Sequence, residues 1–282
     1  MTHSTLKSRA IAPARIAAAA AFVLAAALGW WDVRLAAVPL ALFVLLSLIM
    51  PFFPRLGYFG PVICRGASGH RAVALTFDDG PNPRSTPRLL ALLARERVPA
   101  TFFVTGAKAQ RHPGLVQEIL AGGHTVGNHS FSHDYRLYSG IGRRLGQDVQ
   151  AAQQALAQIG IACRAFRPPA GIVSPRLPGV VKAHNLFIVN YSCRALDGGN
   201  RRVRGLARRI LRRVRPDDIV LLHDLPPKAP ATVGDWLREI ESLLAGLQEK
   251  GLSILPLADL IGRPVMTLES GRPPIDSLKR HP

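Results

Sequence analysis

The segment Arg71 to Pro81, RAVALTFDDGP, constrains this chain more than any other. It is rich in Val, Leu and Phe and closes on a Gly-Pro turn, so it reads as a buried strand. Successive side chains on a strand point to opposite faces. Asp78 and Asp79 can therefore share one pocket only where pairing stops and the backbone turns. Buried like charges repel, so the pair needs a cation beside it or a proton on one member. A fold built round this segment has to place a polar site at the end of a buried strand.

A second constellation points the same way. In His129-Ser-Phe-Ser-His133 two imidazoles stand four residues apart, a spacing that predicts one face of a helical turn and suits chelation of a divalent metal. The preceding Gly122-Gly123-His124-Thr-Val-Gly127-Asn128 reads as a turn and a short strand, so this pair too follows a strand end. With Asp79 it forms a three-ligand set that leaves a position open for water. Such donors suit Zn2+, and Co2+, Mn2+ or Ni2+ would also bind. Two more segments fit around a metal. Phe166 to Gly171, FRPPAG, is a stiff turn carrying Arg167, and Ile219 to Asp224, IVLLHD, is an apolar strand that delivers His223. Taken singly, each is also what an ordinary surface turn or capping histidine looks like. Their shared place at strand ends argues for a site.

Taken in order, Thr-Phe-Asp-Asp-Gly-Pro, His-Ser-Phe-Ser-His, Arg-Pro-Pro-Ala-Gly and Leu-Leu-His-Asp resemble the polysaccharide deacetylases with a NodB homology domain, the carbohydrate esterase family 4 type. The resemblance spans roughly residues 71 to 260. It implies a distorted (β/α) barrel and metal-dependent removal of an N-acyl group, N-acetyl foremost, from an amino sugar of a polysaccharide, oligosaccharide or lipid-linked glycan. It also implies Asp79, His129 and His133 as metal ligands, Asp78 as the base that activates water, and His223 as the acid that protonates the leaving amine. Arg167 becomes the cation that orients Asp78 and lowers its pKa, and the backbone N–H near Ala170 an oxyanion donor.

Two departures stand out. Ala170 replaces a Tyr common in the family, which keeps the N–H and loses a ring. The fourth motif, an Asp-rich stretch ending in Trp, appears here as Tyr191-Ser-Cys-Arg194-Ala-Leu-Asp197-Gly198, leaving Asp197 as its only carboxylate. Asp197 is expected to orient His223. The competing reading, a catalytically silent sugar-binding or scaffold protein that retains the fold, rests on this altered motif.

The rest of the catalytic segment alternates strands and helices, which implies parallel strands with sites at their C-terminal ends. Helices are expected over Thr86–Arg97, Ala109–Ala121, Gly140–Ile159, Val203–Val214 and Trp236–Gln248, and strands over Ala100–Val104, Leu186–Asn190 and Leu252–Pro256. Ahead of them lie two apolar runs, Ile16–Trp31 and Leu35–Phe53, of which the second has the length of a membrane span. A helical hairpin anchor, a cleaved signal peptide, and one span plus an interfacial segment are the three readings; an anchor in a bacterial-type inner membrane is favoured, and the hairpin among its forms. Basic flanks at both ends of a hairpin would keep the catalytic domain on the cytoplasmic face, whereas a single span would put it outside. The expected organisation is a basic tail over 1–15, an anchor over 16–54, a linker over 55–70, the NodB-like domain over 71–262, and a disordered tail over 263–282.

The net charge is +18 and eight arginines crowd between Arg201 and Arg215. No aromatic interleaving or nucleic-acid module accompanies them, so no nucleic-acid partner is expected. Attraction to anionic lipid headgroups and a merely solvated basic face are the two readings. Cys64, Cys163 and Cys193 have neither disulfide nor zinc spacing.

Overall fold

The computed structural model describes residues 11–139 and 144–268. Its strands are β1 (Val62–Ile63), β2 (Ala72–Asp78), β3 (Thr101–Val104), β4 (Thr125–Asn128), β5 (Ile161–Cys163), β6 (Ala165–Phe166), β7 (Phe187–Val189), β8 (Cys193–Arg194), β9 (Ile219–His223), β10 (Ser253–Ile254) and β11 (Met266–Leu268). Nine of them form one sheet in the order β1-β7-β6-β4-β3-β2-β9-β8, with β10 added beside β2. Every pairing in it is parallel, and β5 with β11 makes a separate antiparallel pair. The curled sheet is a distorted barrel whose edges, β1 and β8, do not pair with each other.

Strand β2 shows how alternation builds the interior. Val73, Leu75 and Phe77 face the helices and join the larger core, where Phe77 stacks on Phe102 at 5.3 Å. Ala72 and Ala74 face inward with Phe103, Val189, Leu257 and Leu260. Thr76 and Asp78 continue that inward face toward the strand's end. Small apolar residues thus fill the lower interior, and polar ones open its C-terminal mouth. Register puts Asp78 opposite Phe103 on β3 and His223 on β9.

Several boundaries differ from expectation. The helix read over Ala109–Ala121 is two, Gly106–Arg111 and Pro113–Ala121, broken at His112 because Pro113 offers no N–H and disfavours helical backbone before it. The long helix read from Gly140 runs over Leu145–Ala157; positions 140–143 lie outside the described residues. The arginine-rich helix covers Leu206–Leu211 only, and Val233–Glu249 starts earlier than read, at a capping box between Thr232 and Asp235. The expected linker contains β1, which pairs with β7, and the expected tail begins with Val265, 1% exposed, and β11. Residues 269–282 lie outside the described part.

The N-terminal runs form helices Pro13–Gly29 and Val33–Ile49, joined by a turn at which Asp32 accepts from the Arg34 N–H at 2.8 Å. Val33–Phe52 is long and apolar enough to cross a membrane, with mean hydropathy 2.5. Its far end touches the barrel: the Val173 N–H donates to the Pro51 carbonyl at 3.0 Å.

Candidate active site

Each site residue is the last residue of a parallel strand or lies just beyond one. Asp78 ends β2, and Asp79 follows at φ 72°. That left-handed turn swings the second carboxylate to the side of the first, where continued strand would have sent it to the opposite face. His129 follows β4, its N–H donating to the Val104 carbonyl at 2.9 Å, and Arg167 follows β6, donating to Asn128 at 2.9 Å.

The two histidines do not sit on a helical turn. Ser130 and His133 have φ of 69° and 57°, so residues 129–133 form a tight loop. Polar side chains hold it: Asn128 Oδ1 accepts from Ser130 N at 2.8 Å, and Ser130 Oγ from His133 N at 3.0 Å. Asp148, buried on the following helix, accepts from the N–H groups of Phe131 and Ser132 at 3.1 and 3.0 Å and from the Tyr138 hydroxyl at 2.7 Å. The imidazoles converge all the same, with ring centroids 5.1 Å apart.

One donor atom each from Asp79, His129 and His133 lie within 4.8 Å of one another. Asp79 Oδ1 is 2.9 Å from His133 Nε2 and 3.4 Å from His129 Nε2. His129 Nδ1 lies 2.8 Å from the Arg167 carbonyl, which can only accept, so the proton of the neutral ring sits on Nδ1. The Nε2 lone pair then faces Asp79 Oδ1, a buried oxygen without a hydrogen-bond partner. Two lone pairs aimed at one another call for a shared cation, and a divalent ion fits this donor set. Burial pushes the Asp79 carboxyl up, but the two imidazoles set against it outweigh burial and hold it well below the carboxylate range. The Asp79 carboxylate, 2.9 Å away, raises His133 against its own burial.

Asp78 is held differently. The fully buried Arg167 donates from one terminal nitrogen to Asp78 Oδ1 and Thr76 Oγ1, both at 2.7 Å. The other terminal nitrogen reaches the Asn190 carbonyl at 3.1 Å. The guanidinium lies over the Phe103 ring at 3.9 Å. Gly127 makes room for that ring, since a Cβ there would meet it at 2.5 Å. A buried arginine so fully bonded fixes one rotamer of Asp78.

On the neighbouring strand β9, in register with Asp78, His223 Nδ1 donates to Asp197 Oδ2 at 3.0 Å. That oxygen also accepts from Asn200 N at 2.9 Å, while Asn200 Nδ2 donates to the carbonyls of His223 and Leu225. Burial lowers His223, but Asp197, followed by Asp79 and Asp78, raises it above the ordinary imidazole value. Burial likewise opposes ionisation of Asp197, and His223 overrides it. Ala170 stands at the rim, exposed and left-handed at φ 55°. Arg194 and Gly198, which occupy the acidic and Trp positions of the fourth motif, are both exposed.

Other contributors escaped the sequence reading. Lys108 Nζ donates to the Asp79 carbonyl at 2.5 Å, and the buried Asp224 accepts from Ser85 and Thr86 hydroxyls at 2.7 and 2.5 Å behind the Gly80 turn. Asp224 directly follows His223 and was readable as part of its motif; Lys108, Asp148 and Asn200 carried no local signal.

Residues 65–189 match the family model for polysaccharide deacetylase. A chitooligosaccharide deacetylase of Sinorhizobium fredii is 37% identical over 205 residues, covering 68% of this chain and 93% of that protein. A peptidoglycan-N-acetylglucosamine deacetylase of Bacillus cereus is 30% identical over 196 residues, covering 69% of this chain and 90% of that protein. Among solved structures, the Bc1960 peptidoglycan N-acetylglucosamine deacetylase superposes with TM-score 0.64 at 26% identity, over 72% of this chain and 94% of that one. Identity of this degree along nearly the full length of its relatives makes the chain a member of the polysaccharide deacetylase family.

Proposed function

We propose that this protein is a membrane-anchored, metal-dependent hydrolase that removes an N-acyl group, N-acetyl foremost, from an amino sugar. The observation that carries the reading is the convergence of Asp79, His129 and His133 beside a separately held Asp78, with His223 on the adjacent strand in register with Asp78. Asp79, His129 and His133 would hold a divalent ion, which would supply Lewis acidity to the site.

The chain's own groups do the rest. Asp78, kept in one rotamer by Arg167, takes the proton from the attacking water. The Ala170 N–H, at the rim, donates to the oxygen on which negative charge develops. His223 carries its proton on Nε2 toward the leaving amine, and Asp197 holds the other ring nitrogen and stabilises the imidazolium. Asp197 performs here the support that the altered fourth motif put in question, so the silent-scaffold reading loses the feature that favoured it.

The anchor reading draws on Val33–Phe52 and on the apolar side chains that both N-terminal helices leave exposed, among them Phe22, Leu42, Leu45 and Leu48. A bacterial inner membrane is the proposed location, and a reporter fused to the C-terminus reads which side the barrel occupies.

The test is elemental analysis of the purified full chain together with acetate release from N-acetylated oligosaccharides and lipid-linked N-acetyl sugars. Stoichiometric metal and release abolished by a chelator are expected. Asp78→Asn should keep the metal and lose about 10²-fold or more in turnover, the scale of a general-base contribution; undiminished turnover would remove Asp78 from the chemistry.

A further inference from the structure

A large cavity among the described residues lies apart from the carboxylates and histidines. It measures about 1040 Å³ and opens in the gap between the two barrel edges, lined by Val62 and Ile63 of β1 and by Cys193 and Arg194 of β8. Six arginines surround it, namely Arg55, Arg65, Arg194, Arg212, Arg213 and Arg215, against a single carboxylate, Asp218. Asp218 is already engaged by Arg65 at 3.3 Å. Among the described residues no carboxylate lies within 4.0 Å of the other five guanidiniums, so the cavity is strongly and locally cationic. Six exposed guanidiniums around one hollow attract anions, and arginine forks match phosphate oxygens best.

Two further observations say where that anion comes from. Arg55 stands three residues beyond Phe52, the end of the candidate span, and reaches across to the Ser192 carbonyl beside the cavity. Around it Phe52, Phe53 and Leu56 are 62%, 51% and 62% exposed, an apolar collar suited to the acyl boundary of a bilayer. The cavity also adjoins the catalytic mouth. Arg194 donates to the Tyr191 hydroxyl at 3.0 Å, and that hydroxyl reaches the Ala170 carbonyl at 3.4 Å. The Tyr191 ring has the Arg194 guanidinium on it at 5.4 Å and that of Arg167 at 5.8 Å. One aromatic ring therefore separates the arginine cavity from the arginine that holds Asp78.

We propose that this cavity is a phosphate-ester site that holds, at headgroup depth, the phosphate joining an amino sugar to its lipid. The inference rests on the deacylase reading above and specifies its substrate class. A sugar in the mouth and a phosphate beyond Tyr191 would share one molecule, with the lipid tail left among Phe52, Phe53 and Leu56. Arg194 occupies an acidic position of the family's fourth motif, and this role accounts for the exchange of charge.

The test uses the full chain in phosphatidylcholine nanodiscs and measures equilibrium binding of a prenyl-phosphate-linked N-acetylglucosamine against the prenyl glycoside that lacks the phosphate. Tighter binding of the phosphate form is expected. The double substitution Arg212→Gln, Arg213→Gln, at two exposed positions, should lower the ratio of the two affinities by about 30-fold, at roughly fivefold per basic group near a membrane surface. Equal affinities, or a ratio that the double variant leaves unchanged, overturn the proposal. In a second arm phosphatidylglycerol is added at the ligand's concentration; failure to displace the sugar lipid is expected, and full displacement would assign the cavity to bulk headgroups and overturn the substrate role. Neither arm needs turnover, so a protein that binds the phosphate form and deacylates nothing refutes the hydrolase reading while leaving this one standing.

Discussion

Asp148 touches no substrate, yet the candidate metal site depends on it. Its two oxygens accept from Phe131 N, Ser132 N and the Tyr138 hydroxyl, and the two amides lie between His129 and His133 in sequence. Replacing Asp148 by Asn keeps the shape and converts one acceptor into a donor. The Tyr138 hydroxyl can reverse and accept from the new amide, but a backbone N–H cannot, so one amide is left facing a donor. An orphaned buried N–H costs about 1–3 kcal/mol. In a domain of this size, at about 2–4 °C per kcal/mol, that is a fall in melting temperature of roughly 2–12 °C. The functional consequence is separate. Loss of a partner that orients a ligand typically weakens metal binding about 10- to 100-fold. The assay is competition for Zn2+ against a chelator of known affinity, run beside thermal unfolding. A melting temperature lowered as expected with an unchanged zinc affinity would mean that the loop keeps its shape without Asp148, and the argument would fail.

Three further substitutions follow from the same geometry. Asp197 raises His223, so the charged pair contributes stability that is complete below the ordinary imidazole pKa and is lost as pH rises through the raised one. Turnover that needs protonated His223 falls over the same window, and Asp197→Asn should move the alkaline limb of the kcat profile to lower pH; a stationary limb would deny the coupling. Arg167→Met strands the Asp78 carboxylate in a buried site and should cost about 3–5 kcal/mol in urea unfolding, where a loss under about 1 kcal/mol would contradict the pairing. Gly80→Ala drives a Cβ to 2.4 Å from Asp224 Oδ2, so overpacking of about 1–3 kcal/mol is expected, and a melting temperature equal to wild type would mean the turn yields freely.

What the sequence made legible was whatever is written locally. Strand β2 could be read because seven consecutive buried residues end at a charge and a turn, and the strand ends at Asn128 and His223 were readable from their flanking turns, whereas the two residues of β6 ahead of Arg167 were legible only as the start of a stiff turn. The His129–His133 loop was misread because four-residue spacing is a helical signature only while the backbone is helical, and two left-handed residues there bring the rings together by another route. Asp148, Asn200 and Lys108 were invisible because their partners lie 10 to 29 residues away, or within a turn whose shape no pattern announces. Val265 and β11 were hidden by a polar, Pro-containing neighbourhood, since three residues paired against β5 leave too short a period to detect.

The open seam joins these parts. A barrel that closed fully would pair β1 with β8 and leave no gap; here the two edges stay apart, and an unpaired edge is ordinarily a hazard for association. The chain covers this one with charge and with the exit of its apolar N-terminal helix. Arg55 crosses to β8's approach at Ser192, Pro51 takes the Val173 N–H, and Gly60 sits so close to Pro178 that a Cβ would meet it at 2.9 Å. The exit of the apolar helix is thereby fastened to the loop that carries Arg167 and Ala170, two residues of the candidate site. On the anchor reading proposed above, the plane in which the apolar helix lies sets the approach of any substrate to the histidines and carboxylates. An enzyme acting on freely diffusing chains gains nothing from such fastening. One acting on a sugar whose lipid is confined to the same plane gains a fixed height, because each catalytic group is held at constant depth relative to the ligand it must meet.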